Sequence, residues 1–282
     1  MTEHRAVDRP AISVIIPTFN RAQDVAAAVA SVLDQTWTDF ELIVVDDGST
    51  DDTDAALAPL ADRIRLLRQP NRGVSAARNA GIDAARGRLI AFLDSDDRWL
   101  PKKLAVQKAF FDAHSDARIC QTEEVWIRNG VRVNPGRRHR KPSGNIFIPS
   151  LALCLVSPSA VMMRRELFDA IGRFDETLPA CEDYDLWLRV ACRYPVHLID
   201  EPLIVKYGGH ADQLSKMPGL DRYRIRALEK VLSAGPLNAA QRRAAAATLV
   251  EKCRIYAAGC RKRGRDAEAD RCLALAQQYT DR

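Results

Sequence analysis

The residues best suited to chemistry in this sequence are carboxylates that follow apolar segments. Asp94-Ser95-Asp96 follows the run LIAFL, and Asp46-Asp47 follows the run ELIVV. Carboxylate oxygens are the ligands that hard divalent cations prefer, and such cations commonly bridge substrate phosphates. The spacing of Asp94 and Asp96 predicts a metal site, although acidic turns with serine share this pattern. We expect Asp96 to ligate the cation and Asp94 to contact the cation or a ribose.

Three further side chains suit the binding of a nucleotide. An aspartate of Asp46-Asp47 has the chemistry to accept a hydrogen bond from a base N–H, or to close an Asx-turn between a strand and a helix. Phe19 has the ring to stack on a base, or belongs to the core. Arg78 has the reach to bind a diphosphate, or pairs with a loop carboxylate.

A fourth acidic group, Glu182-Asp183-Tyr184-Asp185, opens a predicted helix. Carboxylates favour helix N-termini for structural reasons alone. In a cleft, however, such a carboxylate is placed to act as a general base. His210 follows a predicted strand, where it would cap a diphosphate, ligate the metal or remain solvated.

Alternating strand and helix patterns predict the scaffold that positions these residues. Continuous apolar runs indicate buried strands, and the segments between them have helical spacing. The strands are expected at residues 12–16, 41–45, 64–67 and 89–93, and the helices at 21–35, 51–60, 74–85 (with Gly87 as its stop signal) and from near Pro101. This order predicts a parallel sheet covered on both faces.

In such sheets, ligands bind beyond the carboxyl ends of the strands. Three polar clusters are predicted at these ends: Thr18-Phe19-Asn20, Asp46-Asp47 and Asp94–Asp97. We therefore expect them to converge on one crevice.

The second half has a different pattern. Asn129-Gly130 between two β-rich runs predicts a hairpin over residues 125–133. Further elements are expected as strands at 196–199 and 203–206, and as helices at 166–171, 183–193, 221–233, 238–260 and 266–278. This half is expected to complete the sheet and to form the acceptor side.

Charge is unevenly distributed along the 282 residues. Residues 217–282 contain 14 Lys and Arg against 7 Asp and Glu, a local +7 within a total of +5. This basic tail either contacts an anionic membrane surface or only solvates exposed helices. No nucleic-acid partner is expected.

The sequence contains few signals that indicate a cellular location. No run of eighteen apolar residues predicts a transmembrane helix, and residues 1–10 lack the apolar region of a signal peptide. The seven cysteines include no CxxC pair. They indicate reduced thiols in a cytoplasmic protein.

Six segments, taken in order and spacing, resemble the family 2 glycosyltransferases of the GT-A fold. They are ISVIIPTFNR (12–21), SVLDQT (31–36), FELIVVDDGSTD (40–51), NRGVSAARN (71–79), FLDSDD (92–97) and EDYDLWLR (182–189). The resemblance covers residues 11–215. It implies an α/β fold with a Rossmann-like mixed sheet flanked by helices. The expected organisation is a flexible N-terminus (1–10), a GT-A domain (11–216, with a nucleotide half at 11–100 and an acceptor half at 101–216) and a basic helical extension (217–282).

The resemblance also implies an inverting transfer from a nucleotide-diphosphate sugar. Asp183 would be the catalytic base, and Mg²⁺ or Mn²⁺ would be held by Asp96, with Asp94 and His210 as further candidates. Asp47 would contact the base, commonly uracil. Donor-binding residues would be Pro17, Thr18, Phe19, Asn20, Asp46, Asp47, Arg78, Asp94 and Ser95. Many members carry tyrosine where this chain has Phe19, so a contact from that hydroxyl is absent.

Substrate expectations follow from the same resemblance. A UDP-sugar is the favoured donor, and the acceptor is a saccharide or a lipid-linked sugar. The Gln-x-x-Arg-Trp signature of processive synthases is absent, since Gln213 is not followed by it, so addition of a single sugar is expected. The basic tail lies outside the resemblance, and partner docking, dimerisation and membrane contact are all open for it.

Two other functions would leave different residues in the sequence. A nucleotidyltransferase would favour a glycine-rich loop after the first strand, and Pro17-Thr18-Phe19-Asn20 is not one. An inactive sugar-nucleotide binder would lack the base or a metal acid, whereas Asp94, Asp96 and Asp183 are all present.

Overall fold

A computed structural model describes residues 9–134, 136–209 and 217–280. The strands are β1 (Ile12–Thr18), β2 (Phe40–Asp46), β3 (Arg65–Arg68), β4 (Leu89–Phe92), β5 (Arg98–Trp99), β6 (Ile119–Arg128), β7 (Val131–Val133), β8 (Val161–Arg164) and β9 (His197–Gly208). The helices are α1 (Val25–Leu33), α2 (Thr53–Leu57), α3 (Val74–Ala84), α4 (Lys103–Ala113), α5 (Phe147–Ser150), α6 (Leu167–Ile171), α7 (Glu182–Ala191), α8 (Asp221–Ala234), α9 (Ala239–Arg261) and α10 (Asp266–Thr280).

The chain folds into two compact units, each built from several segments. The first unit comprises the described residues of Met1–Asn134, Ser157–Glu176 and His197–Gly208, and it contains all the strands named above. The second comprises those of Pro135–Val156, Thr177–Val196 and Gly209–Arg282. Helix α7 is thus grouped with the C-terminal helices, whereas the organisation expected from sequence separates them at residue 217.

The sheet of the first unit is mixed, in the order β3-β2-β1-β4-β8-β6-β9-β5, with β7 paired to β6. Strands β3, β2, β1 and β4 are parallel. Strand β8 runs antiparallel to both β4 and β6. The expected parallel arrangement therefore holds for the four strands of the first half, and the second half completes the sheet as expected.

Both faces of the parallel part are covered. On one face, Val29 of α1, Leu57 of α2 and Leu104 of α4 join the buried side chains of Val14 and Val44. On the other face, Phe92 makes edge-to-face contacts with Phe168 and Phe174, at centroid distances of 6.4 and 5.5 Å. Burial on both sides explains why these strands have continuous apolar runs.

Several boundaries differ from the expected ones for local reasons. Helix α2 is short, and a 3₁₀ segment containing Pro59 follows it. Helix α4 begins at Lys103, so Pro101 precedes the helix and is not in its first turn. Residues 197–208 form one strand, where two were expected, because β9 continues past Pro202 through an irregular register with β6. The two-residue strand β5 was not foreseen.

Gly87 has a different role from the expected stop signal, because α3 already ends before it, with Ala85 as its C-cap. Its N–H donates to Ser13 Oγ at 2.8 Å. A Cβ atom on Gly87 would lie 2.5 Å from the nitrogen of Ser13 and 2.7 Å from the carbonyl carbon of Ile12. Glycine is needed here because the backbone passes directly against β1.

We expect Gly87→Ala to lower the free energy of unfolding by about 2 kcal/mol, because strand backbone has little freedom to move away from the new methyl group. Urea unfolding measures this. Gly136→Ala is the matched control, since a Cβ there meets nothing within 4 Å and φ is −63°. It should change stability by less than about 0.5 kcal/mol. Equal stabilities of the two variants would contradict the proposed close approach.

Candidate active site

The three polar clusters that follow β1, β2 and β4 lie at neighbouring strand ends. Thr18 is in register with Asp46, and the N–H of Asp47 donates to Thr18 O at 2.9 Å. On the other side of β1, the N–H of Leu93 donates to Ile15 O at 3.0 Å, so Asp94 follows the adjacent strand. The parallel pairing therefore brings the clusters to one edge of the sheet.

Asp46 and Asp47 both shape the loops that follow their strand. Asp46 Oδ1 accepts a hydrogen bond from the N–H of Ser49, three residues further along the chain, at 3.0 Å, so this carboxylate holds the turn after β2. Asp47 is 2% exposed. Its Oδ1 accepts from Gln69 Nε2 at 2.7 Å and from the N–H of Arg72 at 3.0 Å. Its Oδ2 accepts from the N–H of Gly73, the N-cap of α3, at 2.7 Å.

The turn after Asp47 requires its glycine. Gly48 has φ of +82°, in the left-handed region that side chains disfavour. A Cβ atom there would also lie 2.8 Å from the nitrogen of Asn71. The strand-end loop and the loop before α3 are therefore packed backbone against backbone.

The loop after β1 combines an exposed ring with a buried hydroxyl. Pro17 is buried within β1, and the ring of Phe19 is 43% exposed. Asn20 has φ of +51°, and its Oδ1 accepts from the N–H of Thr50 at 2.8 Å. Thr18 Oγ1 is buried without a hydrogen-bond partner within the described part of the chain. Buried hydroxyls in native proteins normally bond to protein, water or ligand, so this atom suits a bound molecule.

Ser75, which sequence reasoning did not single out, presents a similar hydroxyl. It lies in the first turn of α3, is 3% exposed, and its Oγ is also without a partner among residues 9–134, 136–209 and 217–280. The run of small residues VSAA offered no signal that would separate this serine from ordinary helix composition.

Arg78 and Asp94 form a close ion pair. Arg78 Nη2 lies 2.7 Å from Asp94 Oδ1, and the arginine side chain is nearly buried while that of Asp94 is partly exposed. The guanidinium carbon is also 5.2 Å from the ring centroid of Phe174. This is the loop-carboxylate pairing that the sequence left open beside diphosphate binding. In this arrangement, Arg78 orients Asp94.

A buried hydrogen-bond network fixes the Asp94–Asp97 turn. Ser159 Oγ donates to Asp97 Oδ2 at 2.7 Å and accepts from the N–H of Asp94 at 3.1 Å. The N–H of Tyr207 donates to Asp97 Oδ1 at 3.2 Å. Asp97 and Ser159 are both buried. The network holds both ends of the turn, so its middle residues, Ser95 and Asp96, have a defined position.

Negative charge accumulates in this turn. Burial raises the pKa of Asp97, and the charges of Asp96 and Asp94 act in the same direction, whereas the charge of Lys206 opposes them. Burial alone would depress the pKa of Lys206, but the carboxylate of Asp97 holds it above its ordinary value. Sequence reasoning missed Lys206 and Ser159. A lysine inside the apolar strand LIVKYG was the one available signal, because such a lysine requires an acidic neighbour.

The carboxylates of this turn provide some of the ligands that a hard divalent cation needs. Asp94 and Asp96 supply carboxylate oxygens, and concentrated negative charge favours a cation there. No group of three or more His, Cys, Asp or Glu residues with metal-ligating geometry occurs among the described residues. Two carboxylates suit a cation whose remaining ligands come from substrate and water. His210 lies outside the described residues.

Asp183 belongs to the second unit, in the first turn of α7. The N-cap, Cys181, has φ of +61°, and Glu182, Asp183 and Asp185 all lie in the first turn, where the helix dipole favours carboxylates. Asp183 is half-buried, and its Oδ1 accepts from the N–H of Tyr184 at 2.7 Å. The thiol of Cys154 lies 3.5 Å from its Oδ2. Burial raises the pKa of Cys154 well above its ordinary value, so the thiol stays protonated and remains a donor.

Asp185 anchors the same helix. It is 1% exposed, and its Oδ2 accepts from Arg189 Nε and Nη2 at 3.0 and 2.8 Å. Lys230 Nζ of α8 lies 2.7 Å from its Oδ1. In addition, Tyr184 Oη donates to Leu151 O at 2.6 Å. The candidate base therefore lies on a helix that the C-terminal region holds in place.

The chain is similar to known proteins both in sequence and in fold. The sequence profile described as glycosyl transferase family 2 matches residues 13–172. The chain is 33% identical over 181 residues to the Escherichia coli protein named UDP-Glc:alpha-D-GlcNAc-diphosphoundecaprenol beta-1,3-glucosyltransferase WfgD, covering 64% of this chain and 69% of that protein. It is 31% identical to an uncharacterised glycosyltransferase of Rickettsia felis, covering 73% of this chain and 35% of that protein. The chain thus spans about a third of the length of this relative. It also spans 32% and 31% of the lengths of two other Rickettsia relatives.

Solved structures show the same fold. Staphylococcus aureus TarS, residues 1–349 in complex with UDP, superposes with a TM-score of 0.66 at 22% identity, over 87% of this chain and 71% of that chain. The mannosyltransferase PcManGT from Pyrobaculum calidifontis, in complex with GDP-Man and Mn²⁺, gives 0.60 at 18% identity, over 96% and 76%. The expected GT-A type α/β fold, a mixed sheet flanked by helices with C-terminal helices, is confirmed.

We expect Ser159→Ala to lower the free energy of unfolding by about 2 kcal/mol, because Asp97 Oδ2 loses a donor and the partly buried N–H of Asp94 loses an acceptor. Urea unfolding measures the change. Ser233→Ala is the control, since that hydroxyl bonds to Glu229 O on an exposed part of α8. It should stay within about 0.5 kcal/mol of the parent. A Ser159→Ala protein as stable as the control would show that the network does not hold the turn.

Proposed function

Since this chain belongs to glycosyl transferase family 2 and is a glycosyltransferase of GT-A-like fold, we propose that it catalyses an inverting, metal-dependent sugar transfer. The donor is a nucleotide-diphosphate sugar, with UDP favoured, and one sugar is added to an acceptor hydroxyl. The observation that carries this proposal is the meeting of three polar clusters at the carboxyl ends of β2, β1 and β4.

The nucleotide is proposed to bind at the ends of β1 and β2. Phe19 offers an exposed ring for the base, and the buried Thr18 hydroxyl is available as a hydrogen-bonding group. Asp47 accepts three hydrogen bonds within the protein, and a carboxylate has about four lone-pair sites, so one is left for a base N–H. Solved relatives of the fold bind UDP, UDP-GlcNAc and GDP-Man.

The diphosphate is proposed to lie at the end of β4. Asp96 would ligate Mg²⁺ or Mn²⁺, with Asp94 and His210 as further candidates. A bound cation supplies neutralisation of the charge that develops on the leaving diphosphate. Arg78 lies 2.7 Å from Asp94, and it would contribute by orienting that carboxylate. Ser95 and Asn20 complete the proposed lining.

Asp183 is the proposed catalytic base. In an inverting transfer, its carboxylate accepts the proton of the acceptor hydroxyl as that oxygen attacks the anomeric carbon. Asp183 is half-buried in the first turn of α7. The family profile ends at residue 172, so this assignment depends on the match of EDYDLWLR and on the geometry of α7.

The proposed acceptor is a saccharide, free or linked to a lipid, in the synthesis of a cell-surface polysaccharide or glycoconjugate. The name of the Escherichia coli relative describes a lipid-diphosphate-linked acceptor, which supports the second class. No helix among the described residues is both long and apolar enough to cross a membrane. A cytoplasmic location, peripheral at a membrane or not, is proposed, and the seven cysteines, all free of disulfide bonds in the structure, support it.

We expect Asp183→Asn to lower kcat on the order of 10²- to 10⁴-fold while donor binding stays close to that of the parent, because the amide cannot accept the proton. Transfer is measured as nucleotide release from UDP-sugars with lipid-linked and free saccharide acceptors. Asp266→Asn is the control, since it makes the same change in the exposed first turn of α10. Parental turnover in Asp183→Asn would refute the base assignment.

Asp96→Ala should abolish the thermal stabilisation that a UDP-sugar gives in the presence of Mn²⁺, because the cation joins donor to protein. The measurement is a thermal-shift titration with and without Mn²⁺, and Asp62→Ala, an exposed acid, is the control. A GDP-sugar series run in parallel identifies the base. If Asp96→Ala keeps the Mn²⁺-dependent shift, Asp96 is not the metal ligand, whatever the outcome for Asp183.

A further inference from the structure

The two compact units carry opposite net charges. The segments of the first unit contain 21 Lys and Arg against 26 Asp and Glu, a formal net charge of −5. Those of the second contain 21 against 11, a net charge of +10. The basic excess is therefore confined to the unit that contains α7 and the C-terminal helices. Such segregation favours an anionic partner for the second unit.

The excess is concentrated at the end of α9. Residues 252–265 contain six Lys and Arg and no Asp or Glu. One of them, Lys252, faces inward, where it donates to Ala152 O at 3.2 Å and lies 3.6 Å from Asp221 Oδ1. The other five are exposed: Arg254, Arg261, Lys262, Arg263 and Arg265.

Helical spacing places several of these cations on one face. Arg254, Ala258, Arg261 and Lys262 are separated by four, three and one residues, so they share the solvent side of α9. The opposite side is fixed by burial of Leu249, Cys253, Tyr256 and Cys260. We call the exposed side, Arg254 to Lys262 with the following Arg263 and Arg265, the basic face.

An exposed apolar side chain lies beside these cations. Ile255 is 55% exposed, and it precedes Lys262 by seven residues, or two turns of the same helix. An exposed isoleucine among cations is the composition of helices that rest at the interface of an anionic bilayer, where acyl chains receive the apolar group and headgroups receive the charges. A phosphate backbone in water would not require the isoleucine.

Ion pairing within the protein uses little of this charge. Arg261 lies 3.4 Å from Asp270 and Arg265 lies 3.1 Å from Glu268, in both cases as exposed or partly exposed pairs. Such surface pairs are worth about 0–1 kcal/mol and exchange readily for another anion. The basic face is thus available to an outside surface.

We propose that the basic face of α9 docks the protein on an anionic lipid bilayer, with Ile255 inserted at the headgroup level. Of the two interpretations of the basic tail at residues 217–282, the proposal favours contact with a membrane over helices whose charges are only solvated. The proposal needs no catalysis, and its test contains no nucleotide sugar, so it stands or fails separately from the transferase assignment.

The test is co-sedimentation of the full chain with vesicles of phosphatidylcholine alone or mixed with phosphatidylglycerol. The parent should bind the anionic vesicles, and binding should weaken as salt rises. Arg254→Glu/Lys262→Glu should lower the partition coefficient at least about 30-fold, since each of the two cations near such a surface contributes about fivefold. Ile255→Ser should lower it roughly tenfold with no change in the salt dependence.

Arg63→Glu/Lys102→Glu is the matched control, because it makes the same charge change at exposed positions of the first unit. It should bind as the parent does, and thermal unfolding verifies that every variant is folded. The proposal is overturned if neutral vesicles bind equally well, or if the control loses as much binding as the α9 variant. It is also overturned if single-stranded RNA displaces the vesicles and Ile255→Ser has no effect, which would indicate a general polyanion site.

Discussion

A carboxylate that is buried away from water needs hydrogen-bond donors. This requirement determines how the loops of the candidate nucleotide-sugar site are built. Asp46, Asp47 and Asp97 are all buried, and each takes its donors from loop backbone or from a neighbouring strand. Meeting that need fixes the turn after β2, the N-terminus of α3 and the turn after β4. The buried acids thereby build the loops, and the more exposed groups beside them, Phe19 and Asp94, are left to meet a substrate.

Together, the acidic motifs therefore combine aspartates that stabilise the loops with others that are exposed to a substrate or cation. In the segment VDDGS, both aspartates have structural partners that would exist without any ligand. In the segment LDSDD, the last aspartate is the most deeply buried and is tied to Ser159, whereas the middle one is half-buried. A run of acids thus contains one residue that holds the turn and others that the turn presents. Preorganisation of this kind lowers the cost of orienting ligands when a cation binds.

The central parallel strands were predictable from sequence because β1, β2 and β4 are buried on both faces of the sheet. Continuous apolar runs gave β1, β2 and β4 within two residues, and the Asn129-Gly130 turn identified the β6–β7 hairpin correctly. Strand β5 was not predicted, because a strand of two residues has no detectable hydrophobic periodicity. Gly87 was assigned to a helix end because its real neighbour, the backbone of β1, is distant in sequence. Ser159 and Lys206 were missed for the same reason: their partner, Asp97, is 62 residues away from the serine.

The helices beyond the family match have a role that sequence could not reveal. The carboxylate of Asp185 is almost fully buried, so its charge must be compensated, and Lys230 on α8 supplies one of the two cations that do so. A buried carboxylate that loses one partner is strongly destabilising, which couples the position of α7 to the folding of α8. Helix α9 in turn contributes Lys252 to the same unit and exposes the basic face on its other side. The helix that bears the proposed base and the helix that bears the proposed membrane contact are therefore parts of one folded unit, so a truncation before α8 would remove both functions together.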